Sequence, residues 1–114
     1  IRDQLEAYFM IFPLMVRCAA ARADETEIKA LQNCIVTMSR AIVAKELEPL
    51  KEADGEFHRL LAVMTRNRRL LPIMEELNSG REIIWEYFIK HDQFVNSVIF
   101  AGYVEMVNAL KNKE

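Results

Sequence analysis

Turn-forming residues are scarce in this chain, which has three glycines and three prolines among 114 residues. So few turn residues leave no linker-like or low-complexity segment, and we find no internal repeat. The length and the 52% hydrophobic content suit one globular domain with one core, which we place at residues 1–114. Because the chain opens with Ile1 rather than Met, we interpret it as a fragment or a processed chain.

Other absences exclude whole classes of protein. There is no block of lysine and arginine and the net charge is -2, so these residues lack the basic surface that binds nucleic acid. The densest apolar run, residues 8–16, is too short to cross a bilayer and contains Pro13. No signal-peptide pattern opens the chain. We therefore expect a cytoplasmic protein with no membrane partner.

Cysteine is also rare, with only Cys18 and Cys34. Two isolated cysteines on helical stripes suit a reducing compartment better than a disulfide scaffold. We interpret both as small hydrophobic residues of the core.

Apolar residues recur at intervals of three and four, the spacing typical of amphipathic helices. This spacing predicts helices over residues 2–22, 25–44, 46–65, 70–77, 81–100 and 103–110. Asp24 and Glu27 have the form of an N-cap with an acidic N3 residue, and Asn67 is the expected N-cap of the fourth helix. Nothing predicts a strand, so the predicted fold class is all-α with about six helices.

The first predicted helix is apolar on two sides. Tyr8, Phe12 and Met15 belong to one stripe, while Met10 and Leu14 lie outside it. We expect this helix to be buried on two faces or to lie at a subunit interface.

The third predicted helix carries a carboxylate in the middle of an apolar face. Asp54 shares this face with its i+4 neighbour His58 and with apolar residues, which are Leu47, Leu50, Phe57 and Leu61. A buried carboxylate is costly unless a cation, a ligand or a metal pairs with it. Gly55 costs about 1 kcal/mol there relative to alanine, and close approach of a neighbouring backbone is one use for it.

His91 lies at the centre of the fifth predicted apolar stripe, and it and His58 are the only histidines. Two imidazoles and a carboxylate suit a divalent ion such as Zn, Ni or Mn. Two other hypotheses stay open, namely a hydrogen-bonded core histidine and a simple Asp54–His58 salt bridge.

Motifs for catalysis are missing. The serines and threonines have no motif around them, and there is no glycine-rich phosphate loop. A helical metalloenzyme would need paired Glu-x-x-His motifs, but Gly55 and Phe88 stand three residues before the histidines. We expect a protein that is not an enzyme. A cluster of Arg66, Arg68 and Arg69 is expected on the surface, and Trp85 in the core.

Two segments resemble a known family. Asp54-x-x-Phe57-His58, followed by Leu61 and Asn67, resembles the D-x-x-F-H…N segment of the FCD domain. That domain is the C-terminal ligand-binding and dimerisation domain of FadR-type regulators in the GntR family. Upstream, residues 13–27 resemble the end of the family's first helix and the capped start of its second.

The resemblance implies an all-α antiparallel bundle from a bacterial transcription regulator. It implies a homodimer that binds a small metabolite, often an organic acid, and a winged helix-turn-helix domain that binds operator DNA. It also implies a divalent metal held by Asp54, His58 and His91. Departures from the family pattern occur at Tyr8 and Phe12, where the family often has Arg and Glu, and at residues 113–114, where its last His would fall. The alternative hypothesis is a helical protein-interaction module in which Asp54 and His58 are a structural core pair.

Overall fold

The computed structural model describes residues 2–81, 85, 86, 90, 104, 105 and 107–112, and the described part is helical with no strand. Its helices are α1 (Arg2–Arg22), α2 (Glu25–Ala44), α3 (Leu47–Met64) and α4 (Leu70–Asn78), and the described residues from Arg81 onwards are also helical. The prediction of an all-α fold is therefore confirmed. Most of the last two predicted helices, including His91, lies outside the described residues.

The ends of α2 follow from local chemistry. The Asp24 side chain accepts a hydrogen bond from the Glu27 amide at 2.8 Å, and the Glu27 carboxylate accepts one from the Asp24 amide at 3.1 Å. This capping box satisfies two of the amides that open a helix, and it confirms the predicted start. At the other end Lys45 adopts a left-handed conformation with φ 56°.

The start of α4 differs from the prediction. Arg69, not Asn67, is the N-cap residue, and it makes no side-chain cap. The Asn67 side chain instead accepts a hydrogen bond from the Arg69 amide at 3.0 Å. Asn67 therefore makes an Asx turn in the loop before the helix, where two more residues precede the first helical position.

The third helix is the centre of the fold, since α3 contacts α1, α2 and α4. One side of α3 packs with α2 into the larger apolar cluster, which includes Leu31, Met38, Phe57 and Leu61. A second cluster joins α1 to α4 through Tyr8, Met15, Met74 and Leu77. Trp85 is buried as predicted.

The two sides of α1 have different surroundings. Tyr8 and Met15 are buried against α3 and α4, whereas Phe9, Met10 and Leu14 are 69%, 68% and 59% exposed. The sequence predicts that α1 is apolar on two sides. One of these sides is buried, and the other is exposed in the part of the chain that the structure describes. No described helix is long and apolar enough to cross a membrane.

Candidate functional site

Asp54 and His58 lie together in the interior, as the apolar stripe of α3 predicts. They are 3% and 1% exposed, respectively. The His58 Nδ1–H donates to the backbone carbonyl of Asp54 at 2.7 Å, and the same nitrogen lies 3.5 Å from the Asp54 carboxylate. The one-turn spacing therefore places an imidazole and a carboxylate side by side, with the imidazole orientation fixed by the helix backbone.

The other imidazole nitrogen faces α1 and the segment after α4. His58 Nε2 lies 2.7 Å from the Tyr8 hydroxyl and 3.2 Å from Nη1 of Arg81. Because Nδ1 donates to a carbonyl, we assign Nε2 as the acceptor, and the hydroxyl and the guanidinium as its donors. The imidazole in this arrangement is neutral.

The electrostatics of the site agree with a neutral imidazole. Burial lowers the pKa of His58 below its ordinary value, and the charge of Arg81 lowers it further. The Asp54 carboxylate and the bond to its carbonyl oppose this shift. His58 therefore acts here as a hydrogen-bonding group rather than as the positive partner of Asp54.

Arg81 is the residue of this site that the sequence does not reveal. It is 8% exposed, and its Nη2 lies 4.0 Å from the Asp54 carboxylate. Its guanidinium carbon stands 4.5 Å from the centre of the Tyr8 ring, within the range of a cation–π contact. The site is thus a buried cluster of Tyr8, Asp54, His58 and Arg81, which we call the buried polar cluster.

The turn before Arg81 is anchored to α1. Gly80 has φ 84°, a conformation that glycine adopts readily, so the chain turns sharply after α4. The Gln4 side-chain amide donates to the carbonyls of Glu76 at 3.1 Å and of Ser79. The start of α1 therefore caps the end of α4 and fixes the place from which Arg81 enters the interior.

Aromatic rings surround the imidazole. The Phe12 and Phe57 ring centres lie 5.6 and 5.5 Å from that of His58, and Tyr8 stacks on Phe12 at 4.9 Å. These rings exclude water from the cluster and lower the local dielectric, which strengthens each polar contact inside it.

A pocket of about 240 Å³ opens beside the cluster, between α3 and α4. It is lined by Gly55, His58, Arg59, Met74, Glu75, Asn78 and Ser79. A Cβ at Gly55 would meet nothing within 4 Å. Close approach of a neighbouring backbone, which the sequence suggested as one use of this glycine, is therefore not its role, and the glycine faces open space. Asn78 also lines this pocket, and its buried Oδ1 has no hydrogen-bond partner among the described residues.

The expected metal set is only partly within the described residues. Asp54 and His58 are together, while His91 and residues 113–114 lie outside. Among the described residues no group of three or more His, Cys, Asp or Glu side chains could hold a metal ion. An ion would have to lie about 2.0–2.1 Å from Nε2, on the side where the Tyr8 hydroxyl and Arg81 stand. The described arrangement does not fit a divalent ion, and the set with His91 stays a prediction.

The remaining predicted residues have structural surroundings. Exposed Arg66 donates to both carboxylate oxygens of Glu27 at 2.6 and 2.7 Å, and Arg68 and Arg69 are exposed as predicted. Both cysteines are free thiols; Cys34 is buried in the larger core cluster, and half-buried Cys18 donates to the Thr65 carbonyl.

Comparison with known families decides the classification. The model of the FCD domain matches residues 3–114. The chain belongs to the FCD family. FCD domains are the C-terminal domains of GntR-family regulators, in which they bind small effectors and dimerise. No curated protein and no solved structure matches this FCD domain.

Proposed function

We propose that this FCD domain is the effector-binding and dimerisation domain of a bacterial GntR-type transcription regulator. A small metabolite binds between its helices and alters operator binding by a winged helix-turn-helix domain that lies outside these residues. The observation that carries the proposal is the family match, which spans residues 3–114. A regulator of this kind acts through a difference in effector affinity between two states and needs no catalysis.

The pocket beside the buried polar cluster supports a small effector. Its volume of about 240 Å³ is below the range of roughly 300–1,000 Å³ for drug-sized ligands. Arg59 and Glu75 give the lining both signs of charge, and Asn78 adds a polar amide side chain. These groups favour a small polar metabolite, with organic acids among the candidates.

Substitution of Gly55 tests whether the effector occupies this pocket. Compounds that raise the melting temperature of the wild-type protein would be selected from a library of small metabolites. Gly55→Phe places a ring in the open space and should abolish the shift, whereas the matched control Gly55→Ala should keep it. A compound that stabilises wild type and Gly55→Phe equally binds elsewhere and contradicts the assignment of the pocket.

The exposed apolar face of α1 supports dimerisation. Phe9, Met10 and Leu14 are all more than half exposed and lie within two turns of one helix. Exposed apolar patches of this kind mark interaction surfaces. Leu14→Glu should shift the protein from dimer to monomer in sedimentation velocity. The control is Val43→Glu, at an apolar residue of α2 that is more exposed to solvent than Leu14, and it should leave the dimer intact.

The regulatory role is tested on the full-length protein. A compound that binds the pocket should change the affinity of that protein for its operator, and Gly55→Phe should make DNA binding insensitive to the compound. The competing hypothesis, a protein-interaction module with a structural Asp54–His58 pair, is favoured by how completely the cluster's groups contact one another. A full-length monomer that binds no DNA would support that module and contradict the regulator.

A further inference from the structure

The buried polar cluster already contains a permanent positive charge. We propose that Arg81 is the cation of this site, and that its guanidinium and the Tyr8 hydroxyl hold the place that a divalent ion would need between Asp54 and His58. The site is then complete without a metal. This inference concerns the charge balance of the cluster and stands whether or not the pocket binds an effector.

The first argument is the charge of Asp54. A carboxylate that is 3% exposed needs a positive partner, since an unpaired charge in the interior is costly. His58 does not supply it, because Arg81 Nη1 can only donate and lies 3.2 Å from His58 Nε2, which makes this nitrogen an acceptor and the ring neutral. Arg81 lies 4.0 Å from the carboxylate and stays protonated at any ordinary pH.

The second argument is the single lone pair of a neutral imidazole. A metal ion must take that lone pair, and so must the donors seen here. The Tyr8 hydroxyl at 2.7 Å and Arg81 Nη1 at 3.2 Å both point to His58 Nε2. An ion at about 2.1 Å from this nitrogen would overlap the hydroxyl and stand against a positive charge, so both side chains would have to leave.

The third argument is that Arg81 is held in place. The Gln4 side chain ties the end of α4 to α1, and Gly80 turns the chain so that Arg81 enters the interior. The Tyr8 ring supports the guanidinium at 4.5 Å. Departure of Arg81 would therefore break contacts with two helices, which opposes replacement of the arginine by an ion from solution.

The test compares the protein with its Arg81→Ala variant, with and without metal. Both are purified without chelator or metal-affinity columns, metal content is determined by mass spectrometry, and melting is followed in EDTA and then in excess ZnCl₂ or MnCl₂. Arg68→Ala, at an exposed arginine in the loop before α4, is the matched control.

We expect less than about one ion per ten wild-type chains and the same melting temperature in EDTA and in metal, because the site is already filled. Arg81→Ala should melt about 10 °C or more lower in EDTA, since it removes the guanidinium charge beside the buried Asp54 carboxylate, and should regain part of this loss with metal. Arg68→Ala should behave as wild type. Arg81→Lys, which keeps the charge, should melt between wild type and Arg81→Ala.

Two results would overturn the proposal. One is about one divalent ion per wild-type chain that disappears in Asp54→Ala, which would make the metal set the correct description. The other is an Arg81→Ala variant whose melting temperature in EDTA equals that of wild type, or whose melting temperature does not rise when metal is added. If Arg81→Ala does not fold, the metal content of the wild type still decides the question, and the charge-free double variant Arg81→Met/Asp54→Asn should fold.

Discussion

Arg66 and Arg81 both join helices through acidic or polar partners, but their surroundings differ. Arg66 is exposed in the loop that follows α3 and reaches Glu27 of α2 at 2.6 and 2.7 Å. Arg81 is buried and stands farther from its partners, 3.2 Å from His58 and 4.0 Å from Asp54. At the surface, water and salt compete for the closer pair, whereas no water replaces the longer contacts inside. Burial rather than distance should therefore decide which arginine stabilises the fold more.

The largest effect is expected at the buried arginine. Arg81→Met keeps an unbranched apolar side chain but removes the guanidinium and its charge, which takes away the cation seen 4.0 Å from the buried Asp54 carboxylate. The free energy of unfolding should fall by about 3–5 kcal/mol, as found when one partner of a buried pair is removed. Urea denaturation in EDTA measures the loss, with Arg68→Met as the exposed control. A loss under about 1 kcal/mol would show that Arg81 does not neutralise the site.

The next effect is expected at the hydroxyl that shares His58 with Arg81. Tyr8→Phe keeps the ring that stacks on Phe12 and removes only the donor to His58 Nε2. We expect a loss of about 1–2 kcal/mol, typical of a buried hydrogen bond that is left half made. As a control, the same substitution is made in the Arg81→Met variant. The loss of unfolding free energy there should differ from the loss in wild type, because the tyrosine hydroxyl and the guanidinium donate to one acceptor. Equal costs in both backgrounds would contradict a shared acceptor.

The two glycines that frame the site should respond to alanine with opposite signs. Gly55→Ala adds a methyl group in open space within α3 and should raise stability by about 1 kcal/mol. Gly80→Ala puts a side chain at φ 84° in the turn that positions Arg81, and should lower stability by about 1–2 kcal/mol. Urea midpoints of the two variants against wild type check both. A Gly80→Ala variant with the same urea midpoint as wild type would mean that the turn does not need its left-handed conformation.

The smallest effect is expected at the surface pair. The hydrogen bond from Arg66 lowers the pKa of Glu27 below its ordinary value of 4.5. A carboxyl whose pKa is lower in the folded state stabilises the protein above the unfolded pKa, and this contribution is lost as the pH falls through the folded pKa. Arg66→Ala should barely change the urea midpoint at neutral pH. Below about pH 4.5 the midpoint should decrease with pH in both proteins, and the decrease should be smaller in Arg66→Ala than in wild type. If Arg66→Ala lowers the free energy of unfolding at neutral pH as much as Arg81→Met does, burial does not decide which arginine stabilises the fold more.

Much of the first two-thirds of the fold could be predicted from the sequence, because its causes are local. Periodic apolar residues give the bounds of α1 and α2, and they give those of α3 and α4 to within one residue. The burial of Asp54 beside His58 follows from an i,i+4 spacing on one face. The exact role of Asn67 did not follow, since an asparagine can serve either as an N-cap or in the turn before it.

The cation of the site could not be predicted, because its causes are distant in the chain. The side chain of Gln4 contacts the end of α4 more than 70 residues away, and this contact ties the turn before Arg81 to α1. A single arginine after Asn78-Ser79-Gly80 carries no pattern that separates a buried role from an exposed one. The sequence indicated that Asp54 needs a cation, a ligand or a metal as its partner, but nothing in the sequence assigned the cation to Arg81.

A double-mutant cycle in EDTA compares the two arginines on one scale. Urea unfolding of wild type, Arg81→Met, Asp54→Asn and the double variant gives the coupling free energy of the buried pair, and Arg66→Met with Glu27→Gln gives that of the surface pair. We expect a coupling of about 2 kcal/mol or more for Arg81 and Asp54, and a several-fold smaller one for the surface pair. A buried coupling no larger than the surface coupling would contradict the assignment of Arg81 as the cation of the site.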